Sequence, residues 1–98
     1  MQTVTLGRTG ITVGKNGFGA LPIQRISMEE AKALLRRAFD GGIRFFDTAR
    51  GYTDSEEKIG AALSDVRSEI FISTKTMAKN AAEFSERLET SLRNLRTD

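Results

Sequence analysis

The sequence predicts an α/β fold in which strands and helices alternate along one chain. Short runs rich in β-branched and aromatic residues alternate with segments whose apolar residues recur at helical spacing. Strands that are joined through helices of this length lie parallel and are connected by right-handed crossovers. The 98 residues, 39% hydrophobic and 29% charged, have the balance of a globular protein and suffice for one domain at most.

An N-terminal hairpin and a first strand are predicted ahead of the first helix. The β-prone runs 3–6 and 11–13 flank two glycines, which supply the backbone freedom that a tight reversal needs. Residues 17–21 form a second extended segment, because Pro22 disfavours its continuation as a helix. The chain therefore enters its first helix from a strand.

The first helix begins at a capping box and buries one apolar stripe. The Ser27 hydroxyl can accept from the Glu30 amide while the Glu30 side chain reaches back to the cap. The apolar residues of the helix recur at intervals of three and four positions: Ala31, Leu34, Leu35, Ala38 and Phe39. Gly41 and Gly42 end the helix, since glycine readily adopts the left-handed conformation of a C-terminal cap.

Two more strand–helix units complete the pattern. Residues 43–47 form a strand, and after a polar loop a helix covers about 55–64. Residues 70–75 form the next strand, and Asn80 caps a third helix. The apolar set of this third helix is Ala81, Phe84, Leu88, Leu92 and Leu95.

Charge and composition exclude several classes of partner. The 15 Lys and Arg residues nearly balance 13 Asp and Glu, so the formal charge of +2 is too small for a phosphate-backbone footprint and we expect no nucleic-acid partner. The chain has neither Cys nor His, so we expect no disulfide and no metal site, and a cytoplasmic location. No stretch approaches the ~18 apolar residues of a membrane span, so we expect no membrane partner.

Three residues could together carry chemistry: Asp47, Tyr52 and Lys75. Asp47 and Lys75 close neighbouring strands, Tyr52 lies in the loop between them, and ligands bind at this edge of parallel sheets. Alternation places Asp47 on the same side as Ile43 and Phe45. An ammonium stabilises a nearby phenolate, and a carboxylate can neutralise that ammonium. Each residue also has an ordinary alternative: a loop cap for Asp47, half-buried packing for Tyr52 and a solvated strand end for Lys75.

Several motifs follow one another in order along the chain. They are Gly42-Ile43-Arg44-Phe45-Phe46-Asp47-Thr48-Ala49, then Gly51-Tyr52, Ser55-Glu56-Glu57-Lys58-Ile59-Gly60 and Ile72-Ser73-Thr74-Lys75. In sequence and spacing they resemble those of the aldo-keto reductase family, and the opening, Leu6 to Val13, is similar to the hairpin that seals the bottom of the barrel in that family. The stretch 47–60 also resembles a bacterial subgroup with a C-terminal iron–sulfur extension, although these residues contain no ligand for such a cluster.

The resemblance implies a (β/α)8 TIM barrel that reduces an aldehyde or ketone to an alcohol with hydride from NADPH. By motif position, Asp47 neutralises Lys75, Lys75 activates Tyr52, and Tyr52 is the general acid. Cofactor-binding positions would be Asp47 and three residues that end the first strand: Gly19, Ala20 and Leu21. The fourth catalytic residue of the family is a His that follows the fourth strand, and the chain contains no His.

The predicted domain, residues 1–98, is therefore an incomplete barrel: an N-terminal hairpin and the first three β/α units. We expect the isolated chain to be inactive or nearly so, although the family is enzymatic. The alternative is a non-catalytic α/β module. An open parallel sheet leaves unpaired edges and uncovered apolar side chains, so we also expect the chain to self-associate.

Overall fold

The computed structural model describes residues 2–98, which form a hairpin and a three-stranded parallel sheet with helices on one side. The strands are β1 (Thr3–Thr5), β2 (Thr12–Gly14), β3 (Phe18–Gly19), β4 (Phe45–Asp47) and β5 (Phe71–Ser73). The helices are α1 (Met28–Asp40), α2 (Ser55–Leu63) and α3 (Ala81–Leu95), with 3-10 helices at Leu21–Arg25 and Ser64–Glu69. The predicted mixed α/β architecture without a closed barrel is confirmed.

The N-terminal hairpin pairs β1 with β2 in antiparallel register, so that Val4 lies opposite Val13. Gly7 and Gly10 both have positive φ angles, 54° and 76°, which explains why glycine occupies the reversal. Among residues 2–98, no helix has the length and apolar character needed to cross a membrane.

The parallel sheet has the order β3-β4-β5 and buries one face against the helices. Phe18, Phe46 and Ile72 are neighbours in one register row and contribute to the core, and the rings of Phe18 and Phe46 are 5.8 Å apart. The next row consists of Gly19, Asp47 and Ser73. Because side chains alternate along a strand, this row lies on the opposite, uncovered face.

The prediction that Ile43 shares a side with Asp47 is wrong. Ile43 precedes β4 and packs against the core, whereas Asp47 shares the uncovered face with Phe45. The Ile43 amide donates to the Ala38 carbonyl, so this residue still belongs to the end of α1 rather than to the strand.

Side-chain caps start two of the helices where the sequence predicts them. Ser27 accepts from the Glu30 amide at 3.1 Å, and Asn80 accepts from the Glu83 amide at 2.9 Å. Such caps satisfy amides that have no partner within the helix. At the end of α1, only Gly42 has a positive φ, of 108°, while Gly41 stays helical. The glycine pair therefore ends the helix through its second member.

All three strands of the parallel sheet are shorter than predicted. The first ends early because Leu21 and Pro22 begin a 3-10 helix directly after Ala20. The Ala20 amide nevertheless donates to the Asp47 carbonyl at 2.8 Å, so the ladder continues one residue beyond β3. The second strand is shortened at its start, where Ile43 and Arg44 precede it, and the third lacks Ile70 at its start and Thr74 and Lys75 at its end.

Gly60 allows α2 and α3 to approach each other closely. A Cβ atom at this position would overlap the Asn94 carbonyl oxygen and would lie 3.0 Å from the Leu95 Cα. Both contacts involve the backbone of α3, which cannot rotate away as a side chain can. Glycine is therefore required for this helix–helix distance.

We expect Gly60→Ala to destabilise the fold by about 1–3 kcal/mol, the usual cost of overpacking, because α3 must move outward. The matched control is Gly51→Ala, where an added Cβ meets no atom within 4 Å and φ is not positive. Urea unfolding followed by circular dichroism measures both. Equal stability of the two variants would contradict the role of Gly60.

Candidate active site

The structure brings Asp47, Tyr52 and Lys75 together at the C-terminal edge of the sheet. The Lys75 Nζ lies 3.2 Å from Asp47 Oδ2 and 3.4 Å from Oδ1, and it donates to the Thr48 carbonyl at 2.6 Å. The same Nζ is 5.2 Å from the centroid of the Tyr52 ring. The three residue types that sequence reasoning singled out therefore form one cluster.

The cluster combines a neutralised ammonium with a phenol. The side chains of Lys75 and Asp47 are 52% and 43% exposed, so their ion pair contributes little to stability. The ammonium nevertheless makes a cation–π contact with the Tyr52 ring, which brings a positive charge close to the phenol. Chemically, such a cluster can donate a proton to an oxygen that becomes negative during a reaction.

Backbone hydrogen bonds carry the loop 48–54 along the end of β5. The Thr48 amide donates to the Ser73 carbonyl at 2.8 Å, and the Arg50 amide donates to the Lys75 carbonyl at 2.9 Å. The Tyr52 carbonyl then accepts from the Ser55 amide, which leads directly into α2. The parallel ladder thus continues past the regular strands and aligns the loop with Lys75.

The first turns of α2 contain three buried polar side chains that sequence reasoning missed: Ser55, Glu56 and Lys58. Each is at most 1% exposed. The apolar spacing of the helix identifies Ile59, Ala62 and Leu63, and charged residues in such a pattern are normally assigned to the solvent side. The signal that could have identified them is their place inside the Ser55 to Gly60 motif.

Ser55 and Lys58 attach α2 to the segment after β3. Ser55 Oγ donates to the Ala20 carbonyl at 3.1 Å and shares a hydrogen bond of 2.8 Å with the Thr48 hydroxyl. Lys58 Nζ donates to the carbonyls of Ile23 and Ile26 at 2.8 and 2.7 Å. The C-terminal end of the first strand is thereby held against the helix.

The third partner of the buried Lys58 ammonium is the Asp54 carboxylate, at 2.9 Å. The hydrogen bond from Lys58 is the main reason why the pKa of Asp54 lies below its ordinary value. A buried ammonium without a counter-charge is unfavourable, and Asp54 supplies that charge from the surface.

Glu56 joins the loop, the end of β5 and α3. Its Oε1 accepts from Arg50 Nη1 at 2.5 Å and from Asn94 Nδ2 at 3.5 Å, and its Oε2 accepts from the Thr74 hydroxyl at 2.8 Å. A single buried carboxylate thus contacts the residues that flank both Tyr52 and Lys75 in sequence.

Comparison with known proteins decides the family. The model of the aldo/keto reductase family matches residues 10–98. The chain belongs to this family. A crystal structure of an aldo/keto reductase from Klebsiella pneumoniae, in complex with NADP and acetate, superposes with a TM-score of 0.81. That match is 29% identical and covers 89% of this chain and 33% of the other.

Curated relatives of this aldo/keto reductase chain include proteins with different names. A rice protein named "probable voltage-gated potassium channel subunit beta" is 39% identical over 76% of the chain and 25% of its own length. The pyridoxal 4-dehydrogenase of Microbacterium luteolum is 41% identical over 71% of the chain and 22% of its own length. The chain thus spans about a quarter of the curated relatives it matches.

The predicted cofactor-binding residues of the aldo/keto reductase chain lie beside Asp47. Gly19 pairs with Asp47 in the sheet, and a Cβ added to Gly19 would meet no atom within 4 Å. Leu21 is exposed, whereas Ala20 is buried with its carbonyl bonded to Ser55. The space over Gly19 is open and lies on the uncovered face of the sheet.

We expect the Asp54–Lys58 pair to stabilise the fold in a pH-dependent way. Because folding lowers the pKa of Asp54, its contribution is present above the ordinary value of about 3.9 and is lost as the pH falls through the lowered value. Asp54→Asn should therefore unfold more easily than wild type at neutral pH, and the difference should shrink in acid.

Urea unfolding at a series of pH values measures this difference. The matched control is Asp65→Asn, which also removes a carboxylate from an ion pair but leaves Lys58 untouched, since the partner of Asp65 is Arg36. A constant difference between wild type and Asp54→Asn from neutral to acidic pH would contradict the expected linkage.

Proposed function

We propose that this chain is the N-terminal portion of an NADPH-dependent aldo-keto reductase that reduces an aldehyde or ketone to an alcohol. Residues 1–98 would form the hairpin and the first three β/α units of its barrel. The observation that carries the proposal is the contact of Lys75 Nζ with both Asp47 and the Tyr52 ring, at the edge of the sheet where barrel enzymes place their chemistry.

Each residue of the cluster has a defined task in this proposal. NADPH, when bound, supplies hydride to the carbonyl carbon. Tyr52 donates its hydroxyl proton to the carbonyl oxygen as negative charge develops there, and Lys75 stabilises the resulting phenolate. Asp47 holds the Lys75 ammonium in place and neutralises it. The cofactor would lie against Gly19 and Leu21 beside Asp47, whereas Ala20 is fully buried and would hold this segment in place through its hydrogen bonds to Asp47 and Ser55.

The isolated chain should have no reductase activity. The sequence contains no His that could be the fourth catalytic residue of the family. The later parts of a barrel, which in this family hold the phosphates of the cofactor, have no counterpart in these residues. Loops at the C-terminal edge of the complete barrel would select the small carbonyl substrate.

A chimera tests the catalytic assignment. In it, residues 1–98 replace the matching segment of the Klebsiella pneumoniae reductase, whose remaining units supply the rest of the barrel. We expect this chimera to oxidise NADPH in the presence of simple aldehydes, and Tyr52→Phe to lower its kcat by about 10²–10⁴-fold, the usual contribution of general acid catalysis. The 98-residue chain alone should show no turnover.

Glu57→Gln is the control, because Glu57 is an exposed residue of α2 away from the cluster. Full activity of the Tyr52→Phe chimera would refute the role of Tyr52. Robust turnover by the isolated chain would refute its proposed dependence on the missing units.

A second candidate is a non-catalytic, self-associating module, and exposed apolar side chains favour it. β3 and β5 are the edges of the parallel sheet, and Phe71 of β5 is exposed. The predicted apolar stripe of α3 is largely uncovered, since Phe84 and Leu88 are 51% and 41% exposed. Such edges and patches promote pairing with another chain. The rice relative likewise bears the name of a subunit rather than of an enzyme.

We expect the 98-residue chain to form dimers or larger species as its concentration rises, because association covers these apolar residues. Size exclusion with light scattering measures the mass. Leu88→Lys should shift the equilibrium toward monomer, and Arg87→Lys, an exposed change on the same helix that keeps the charge, should not. A compact monomer at all concentrations would eliminate this candidate.

A further inference from the structure

We infer that Glu56 is a positioning residue that sets the distance between Tyr52 and Lys75. The catalytic meaning of this inference rests on the function proposed above, but the structural part does not. Glu56 is 1% exposed and lies beneath the cluster rather than in it. Its two oxygens bind donors that come from the two segments carrying Tyr52 and Lys75.

The contact with Thr74 controls the Lys75 side of the cluster. Thr74 directly precedes Lys75, and its hydroxyl donates to Glu56 Oε2 at 2.8 Å. Neighbouring side chains of an extended segment point to opposite sides. Holding Thr74 toward α2 therefore directs Lys75 to the other side, where Asp47 and the Tyr52 ring lie.

The contact with Arg50 controls the Tyr52 side. Arg50 Nη1 binds Glu56 Oε1 at 2.5 Å, while Nη2 donates to the Thr53 carbonyl at 2.9 Å. Arg50 and Thr53 lie on either side of the Gly51-Tyr52 pair. The hydrogen bond from the Arg50 side chain to the Thr53 carbonyl therefore closes the turn that contains Tyr52. Thr53 has a positive φ of 43°, which is unfavourable for a β-branched residue and needs such outside support.

The side-chain contacts among Asp47, Tyr52 and Lys75 contribute little to holding this geometry. The only ion pair among them, Asp47 with Lys75, is about half exposed, and exposed pairs contribute roughly 0–1 kcal/mol. The Arg50–Glu56 pair is buried on the Glu56 side, where a lost partner leaves an uncompensated charge. The backbone ladder aligns the loop with Lys75, and the buried carboxylate sets the side-chain geometry on both sides of the cluster.

The test uses Glu56→Gln, which keeps the size of the side chain but removes its charge and one acceptor oxygen. The matched control is Glu57→Gln, the same chemical change at the neighbouring exposed position. Tyr52 is the only tyrosine and the chain has no Trp. The tyrosine band in near-ultraviolet circular dichroism and the anisotropy of tyrosine fluorescence therefore report this residue alone.

We expect Glu56→Gln to lose the tyrosine band and lower the anisotropy at unchanged far-ultraviolet circular dichroism, while Glu57→Gln retains both signals. A Glu56→Gln variant that is less stable but keeps the full tyrosine band would overturn the inference, because the role would then be structural only.

A second variant covers the case in which Glu56→Gln does not fold. Arg50→Lys keeps the positive charge beside Glu56 but cannot bridge to the Thr53 carbonyl, so it should lose the tyrosine band while remaining folded. Retention of the band in Arg50→Lys would equally overturn the inference. Neither measurement requires cofactor or turnover, so an inactive chimera would refute the proposed function without affecting this result.

In an active chimera, Glu56→Gln should lower kcat more than it raises the KM for NADPH, since the hydrogen bonds of Glu56 go to Arg50, Thr74 and Asn94 and not to the segment 19–21. Equal losses in both parameters would indicate general disruption and contradict a positioning role.

Discussion

The arrangement of this chain depends on buried polar side chains in the first turns of α2. Ser55, Glu56 and Lys58 connect this helix to the segments that follow all three strands of the parallel sheet. An unsatisfied buried polar group costs about 1–3 kcal/mol, so each of these contacts is favoured only while its partner stays in place. Among residues 2–98, every buried side-chain nitrogen and oxygen atom has a hydrogen-bond partner. The ends of the three strands are therefore held in place together, by side chains of one helix.

In the proposed function, this arrangement separates the residues that give support from those that carry the chemistry. The buried layer contains Glu56 and Lys58, whose charges are compensated by Arg50 and Asp54 from the loop. The exposed layer contains the Tyr52 cluster, which has few contacts of its own. A reactive group must be reachable and must also be held in one geometry, and one set of side chains rarely achieves both. Here the buried side chains in the first turns of α2 hold the cluster in one geometry.

The sequence was sufficient for the features that depend on local pattern. The caps at Ser27 and Asn80 were predicted because a side chain and an amide three residues apart determine them. The proximity of Asp47 and Lys75 followed from parallel topology. The burial of Glu56 and Lys58 did not, because Thr74 and the segment after the first strand, which bond to them, are distant in sequence and come close only when the sheet forms. Gly60 was likewise noted as part of a motif, but its contact with the backbone of α3 is a tertiary property.

The uncovered face of the sheet links completion of the fold to the chemistry of the cluster. Phe45, Asp47 and Ser73 lie on this face, which corresponds to the interior of a closed (β/α)8 barrel. In the open sheet, water screens the Asp47–Lys75 pair. Covering the face would remove that water, strengthen every electrostatic interaction in the cluster and bury Phe45 at the same time. If the chain acts as proposed, the apolar Phe45 and the charges of the cluster are neighbours on one surface, so closing the barrel over this face would also change the environment of the site.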